Sequence, residues 1–254
     1  MGKFNIYRPI ELHFQVTERC NFSCPWCYVQ YGPSEEELTL EEVKKYIIEG
    51  IKPLMLLQVT LTGGEPFLRK DIFELVDNFN AIGLTTLIAT HGMFLSEEMI
   101  EKLIASKLDE ILVSLDSHIS TVMDEIRCKP GIQQLVVHNL KNLIERVIAT
   151  NSKLRVGVNI VAQERNASCL LDTVKFAVSL GVTRVNLQPM IPYASVYPDF
   201  NKGFKLPKIS DESLRALTEQ IKEIIRLRKE YKDSIGFPSE ALLSQIPLFF
   251  KDPT

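Results

Sequence analysis

Six times along this chain an apolar, strand-like run is followed by an amphipathic helical stretch, and that alternation constrains the fold more than any other feature. The strand-like runs occupy residues 12–17, 54–62, 84–90, 110–115, 154–161 and 182–187. Between them, Thr39 and Glu42 have capping-box spacing, and Leu40, Val43, Tyr46 and Ile47 share one helical face. A second helix opens at Asp71 and carries Phe73, Leu75, Val76 and Phe79; further helical patterns cover residues 96–106, 132–148, 167–180 and 210–231. Strands that alternate with helices imply a parallel sheet with right-handed crossovers. Six such units either curl toward a barrel or wind doubly around an open sheet, and strand count alone leaves both open.

The 254 residues, 45% apolar and 24% charged, fit one or two domains with a core that needs no disulfide staples. Lys plus Arg is 29 against 32 Asp plus Glu, a net charge of −3, which weighs against a nucleic-acid partner held by phosphate neutralisation. No run approaches the roughly 20 apolar residues of a membrane span. The start, Met1 to Ile6, lacks the apolar core of a signal peptide, and Ile6 stands where a myristoylation signal wants Ser or Thr. The expected address is therefore the cytoplasm, with no membrane partner. Five cysteines, three of them within eight positions, point to metal or redox chemistry rather than to a disulfide framework.

In parallel α/β architectures ligands bind at the C-terminal ends of the strands. The unusual residues sit there strand by strand. Cys20-Asn21-Phe22-Ser23-Cys24-Pro25-Trp26-Cys27 follows the first strand and Gly63-Gly64-Glu65-Pro66 the second. Thr90-His91-Gly92 follows the third, Ser114-Leu115-Asp116 ends the fourth, Asn159 lies on the fifth, and Gln188-Pro189 closes the sixth. Three thiols on one loop can present three thiolates to a small cluster. A structural zinc would need a fourth ligand, and none is near in sequence, the closest histidine being His13. A [4Fe–4S] cluster with three cysteine ligands keeps one iron open for an exchangeable group.

Cys20-x3-Cys24-x2-Cys27 with Trp26 before the last cysteine resembles the signature of the radical S-adenosylmethionine (radical SAM) enzymes, and Gly63-Gly64-Glu65-Pro66 is similar to that family's second motif. The resemblance covers about residues 8 to 200. It implies an α/β fold, a partial (β/α)6 TIM-like barrel with a C-terminal helical segment. The expected division is a barrel core at 1–205 and a C-terminal helix and tail at 206–254, where an extension with auxiliary clusters would begin. It also implies that Cys20, Cys24 and Cys27 ligate three irons and that the methionyl group of SAM chelates the fourth. Trp26 would lie against the adenine, and Gly63, Gly64 and Glu65 would meet the methionyl amine. Ser114, Asp116 and Arg127 resemble the family's S-x-D strand end and downstream arginine: Ser114 would face the ribose or carboxylate, and Arg127 the carboxylate. Asn159 is a candidate ribose contact. The reaction so implied is one-electron cleavage of SAM to a 5′-deoxyadenosyl radical that abstracts hydrogen from a substrate, with a ferredoxin- or flavodoxin-type electron donor.

Two positions depart from the family's pattern. His91 stands where Thr-Asn-Gly is common, and Cys128 follows Arg127 where glycine is common. The combination CNFSCPWCY, TGGEPFLRKD and VSLDS looks most like the branch that matures peptides, proteins or cofactors, so a peptide or peptide-derived cofactor precursor is the expected substrate. The alternatives are a catalytically silent relative that keeps the cluster as a scaffold, a haem- or RNA-modifying member, and a zinc-stabilised interaction domain. Tyr193 and Tyr197 are candidates for a substrate mouth.

Overall fold

The computed structural model describes residues 9–27, 37–190 and 209–251. Its centre is one six-stranded parallel sheet: β1 (Glu11–Thr17), β2 (Gln58–Gly63), β3 (Thr85–Thr90), β4 (Glu110–Ser114), β5 (Arg155–Ala162) and β6 (Arg184–Pro189). The spatial order is the sequence order, β1 to β6. A doubly wound sheet must reverse direction partway, whereas a single direction with right-handed crossovers puts every helix on one face and curls the sheet. The order thus decides between the two architectures left open above, in favour of the partial barrel.

The period-2 geometry of the strands separates two faces. Val59, Leu61, Ile88, Ile111, Val113, Leu115, Val156, Val158, Ile160, Val185 and Leu187 turn outward into the core beneath the helices. The intervening positions turn inward and are largely polar at the site end: Ser114 pairs in register with Asn159, and Asn159 with Asn186. At the other end of the sheet, Glu110 is buried and meets Arg155 at 3.2 Å and Arg184 at 3.3 Å.

Several elements differ from the sequence reading. The second strand starts at Gln58, because Lys52–Leu54 forms a 3-10 turn and Met55 takes a left-handed φ of 49°. The first helix has a π-helical middle, Val43–Ile48, behind the Thr39/Glu42 capping box. The short helix Ser120–Arg127 and the helix Glu240–Lys251 were not legible as periodic elements; the latter carries Pro247 inside it.

The C-terminal helices Asp211–Glu230 and Glu240–Lys251 contribute Leu217, Ile221, Ile224, Leu243 and Ile246 to the same core as the barrel. The residue between them that reaches the sheet is Gly236: its carbonyl accepts from Val185 N at 2.8 Å and its N–H donates to Thr183 O at 2.9 Å. That extends the β6 edge by one bridge. Among the described residues no helix is long and apolar enough to cross a membrane.

Candidate functional site

The cysteine loop leaves β1 and is seated against the end of β2 by main chain. Gly64 N donates to Thr17 O and Glu65 N to Arg19 O, both at 2.8 Å. A Cβ on Gly63 or on Gly64 would lie 2.1 Å from those same carbonyls, Thr17 O and Arg19 O respectively, and Gly63 has a φ of 138°. The glycines are therefore required, first of all, by the approach of the two strands' ends. Arg19 is clamped by Glu37, whose carboxylate accepts from Nε at 2.7 Å and Nη2 at 3.0 Å; Thr17 Oγ1 donates to the same carboxylate. Glu37 is thus an anchor for this loop rather than a purely solvated charge.

Within the loop, Cys27 N donates to Cys24 O at 3.0 Å, and Cys24 Sγ lies 3.9 Å from Arg127 O. Burial pushes the Cys20 thiol up and the Cys24 thiol to about 11; the neighbouring thiols add to the rise and the Arg127 charge opposes it. The thiols hold their protons at neutral pH until a metal displaces them. A cation facing mutually interacting thiols is the setting that suits a thiolate-bound anionic cluster. Among the described residues no three Cys, His, Asp or Glu side chains close on a point tightly enough to hold a single ion. Three thiols on one loop beside a buried cation suit three irons of a [4Fe–4S] cluster.

Arg127 ends the helix Ser120–Arg127 and points back toward the loop. Its guanidinium meets Asp116 Oδ2 at 2.5 Å and lies 5.2 Å from the centre of the Trp26 ring. Trp26 Nε1 donates to Ile126 O at 3.1 Å. Asp116 Oδ1 accepts from Val161 N at 3.0 Å, while Asp116 Oδ2 and Arg127 Nε, both buried, lack an aligned hydrogen-bond partner among the described residues. Neither Asp124 nor Glu125 takes Arg127: Asp124 accepts from Gly131 N and Gln133 N, and Glu125 pairs with Arg165. Cys128, at the helix C-cap, adopts a left-handed φ of 50°, the conformation that explains why glycine suits this position.

Glu65 is fully buried. Its Oε1 accepts from Thr90 Oγ1 at 2.8 Å and Phe67 N at 3.2 Å, and its Oε2 from His91 N at 3.0 Å. Burial pushes this carboxyl up to about 7 against the pull of those donors and of Arg127. Ser114 and Asn159 face inward on neighbouring strands, and Asn186 Nδ2 donates to Asn159 Oδ1 at 2.7 Å. Asn186 was missed in the sequence; its signal was the two-residue spacing from Gln188 on an inward face. Cys169 is buried, with Sγ 3.5 Å from Ser117 Oγ. Tyr193 and Tyr197 lie outside the described residues.

The geometry thus gathers the loop carrying Cys20, Cys24, Trp26 and Cys27 with the Gly63–Glu65 turn and the Asp116–Arg127 pair at the strand ends, while Ser114 and Asn159 lie at the same end of β4 and β5. The chain is similar to the PqqA peptide cyclase of Bradyrhizobium diazoefficiens, 27% identical over 224 residues that span 87% of this chain and 56% of that protein. It is also similar to an AdoMet-dependent heme synthase of Methanosarcina barkeri, 29% identical over 194 residues, 72% of this chain and 51% of that one. In fold it is similar to Streptococcus suis SuiB, whose structure was solved bound to the precursor peptide SuiA. That match has a TM-score of 0.68 at 18% identity and covers 91% of this chain and 48% of that one. The chain spans about half the length of these relatives. Residues 14–188 match the family model described as the Radical SAM superfamily, and the chain belongs to that superfamily: it is an enzyme whose cofactors are a [4Fe–4S] cluster and S-adenosylmethionine.

Proposed function

We propose that this enzyme modifies a peptide, or a cofactor precursor derived from one, by radical chemistry at the C-terminal mouth of the partial barrel. Bound together, the cluster and SAM supply an electron and a 5′-deoxyadenosyl radical. The chain's own residues position them. Cys20, Cys24 and Cys27 hold three irons, and Arg127, fixed by Asp116 and Trp26, offers its planar fork to the methionyl carboxylate. Trp26 borders the adenine side. The main chain of Gly63 and Gly64 meets the methionyl amine, with Glu65 holding their turn from beneath. Ser114 and Asn159 contact the ribose. In this reading residues 1–205 are the radical SAM core and 206–254 its C-terminal segment, of which the described Gly236 bridges to the β6 edge. A ferredoxin- or flavodoxin-type protein delivers the electron.

The observation that carries this reading is the Arg127 guanidinium, which lies against the cysteine loop and the Asp116 strand end at once. The peptide substrate class draws its support from the PqqA peptide cyclase and from SuiB, which was solved with a precursor peptide bound. The heme synthase supports a second reading, a tetrapyrrole substrate in the same mouth.

The test is anaerobic reconstitution with iron and sulfide, reduction by dithionite or a flavodoxin system, and assay of 5′-deoxyadenosine. Formation in the wild type and loss in Cys24→Ala is the expected result. A four-iron cluster without SAM cleavage would instead make the chain a silent scaffold. Stimulation of turnover by porphyrins but by no peptide from a candidate library would replace the peptide reading with the tetrapyrrole one.

A further inference from the structure

The cysteine loop and the glycine-rich turn are tied together by a side chain that belongs to neither motif. His91, just after β3, stacks on Phe22 with ring centres 4.0 Å apart and planes 11° from parallel. Its Nδ1 lies 3.1 Å from Met93 N. A main-chain N–H only donates, so Nδ1 is the bare nitrogen and a neutral ring carries its proton on Nε2. That nitrogen stands 2.8 Å from Asn21 Oδ1 and 3.2 Å from Glu65 Oε2. Both neighbours accept, which is what an Nε2–H requires, and the assignment leaves Asn21 Nδ2 to face Met93 Sδ at 3.3 Å. The ring is neutral: burial, Arg127 and Lys129 together push its pKa down to about 3.

The same contact completes Glu65. A carboxylate has about four acceptor positions. Thr90 Oγ1, Phe67 N and His91 N take three, and His91 Nε2 faces the fourth. Glu65 is fully buried, so no water replaces a donor that is lost. One imidazole proton is therefore shared between Asn21, one residue from Cys20, and the carboxylate that fixes the Gly63–Gly64 turn.

We propose that His91 is a positioning residue that couples the two halves of the site: it registers the cysteine loop against the Gly63–Glu65 turn, so that seating of the cluster sets the geometry in which the methionyl end of SAM is held. This rests on the reading above that the loop holds the cluster and the turn meets SAM. Asn21 and Glu65 act through the same hydrogen, so their effects on SAM binding are not independent. Phe22 acts with them, because its stack sets the plane in which the Nε2–H points.

The test uses the full chain reconstituted with iron and sulfide, compared as wild type, His91→Phe, His91→Gln, Asn21→Ala and the Asn21→Ala/His91→Phe double variant. SAM affinity is read by equilibrium dialysis per loaded cluster, alongside the change SAM makes in the EPR spectrum of the reduced cluster. His91→Phe keeps the stack and removes the donor. With Asn21→Ala it should weaken SAM about tenfold, the order expected when one buried hydrogen bond to a charged group is left unmade. The double variant should be no weaker than the worse single one. His91→Gln restores an N–H near the Nε2 position and should stay within about threefold of wild type. Wild-type affinity in both His91→Phe and Asn21→Ala, or losses that add in the double variant, overturns the proposal. If His91→Phe fails to fold, Asn21→Ala carries the test alone, and wild-type SAM affinity in it overturns the proposal.

A separate readout needs no SAM: 15N NMR of the imidazole in the protein as isolated. A bare Nδ1 with a protonated Nε2 is expected, and an Nδ1–H tautomer or an imidazolium overturns the proposal. A wild-type protein that binds no SAM while showing the expected tautomer would sink the functional reading instead.

Discussion

Arg127 and Asp116 form an ion pair buried on both sides, with Nη2 2.5 Å from Oδ2 and only 7% and 0% of the two residues exposed. Asp116 is anchored by Val161 N, and Arg127 by its place at a helix end beside Trp26. Charge in a dry setting is costly unless it stays matched. The pair therefore makes a cation permanent beside the cysteine loop.

Asp116→Asn breaks that match and leaves Arg127 buried without a counter-charge. Urea unfolding should show a loss of about 3–5 kcal/mol, as for other buried pairs cut on one side. The double variant Asp116→Asn/Arg127→Gln should recover part of it while binding SAM poorly, which separates the stability role from the ligand role. Equal stability in Asp116→Asn and wild type would contradict a buried pair.

Gly63→Ala and Gly64→Ala each place a methyl 2.1 Å from a main-chain carbonyl. Backbone cannot rotate away as a side chain can, so the ends of β1 and β2 must separate. A loss of about 3 kcal/mol or more is expected for either, the range of the severe single substitutions, together with a fall in bound iron after reconstitution. Gly83, with open space around its Cβ position and a φ of +84°, is the control: Gly83→Asn should lose far less and load iron normally.

The pH dependence of stability carries the mark of Glu65. Its carboxyl rises from 4.5 in the unfolded chain to about 7 in the folded one, chiefly through burial. A group whose folded pKa is raised binds its proton more tightly when folded, so its contribution is complete below the unfolded value and is lost as pH climbs through the folded one. Thermal melts of the apoprotein should show wild type losing ground to Glu65→Gln between about pH 4.5 and 7.5. A constant difference across that range would show that Glu65 titrates normally.

At Cys128 the test is of backbone shape. Its φ of 50° is available to glycine without strain and to a β-branched residue only at a cost on the order of 1–2 kcal/mol. Cys128→Val should lower the melting temperature, and Cys128→Gly should not. SAM cleavage in Cys128→Gly should match wild type, since the thiol's one described contact is Glu125 O at 3.6 Å.

Much of this arrangement is legible in the residues because the strand period and the parallel topology do most of the placing. Once β4 is recognised, Ser114 must face inward and Asp116 must sit past the strand's end. The cysteine spacing likewise declares a loop with three converging thiols. What stays hidden depends on pairings between distant residues. Nothing near Glu65 in sequence announces that Thr90 and His91 supply its donors, and nothing near Arg127 singles out Asp116 over Asp124 or Glu125. The Gly63–Gly64 pair reads as room for a ligand, whereas its tightest neighbours are Thr17 O and Arg19 O. Pro247 inside a helix and the π-helical turn at Val43–Ile48 are cases where packing overrode local preference.

The consecutive strand order also bears on how the protein is made. Each strand pairs with the one synthesised just before it, and the described partners of the cysteine loop and its clamps, from Thr17 through Glu65, His91, Asp116 and Arg127, end at Val161. Chains emerge from the ribosome N-terminus first and fold as they come. The described partners of the metal-binding end are therefore all synthesised while the helices from Asp211 onward are still to be translated. The C-terminal helices then pack against the β6 edge of a sheet whose earlier strands already carry the described partners of the cysteine loop.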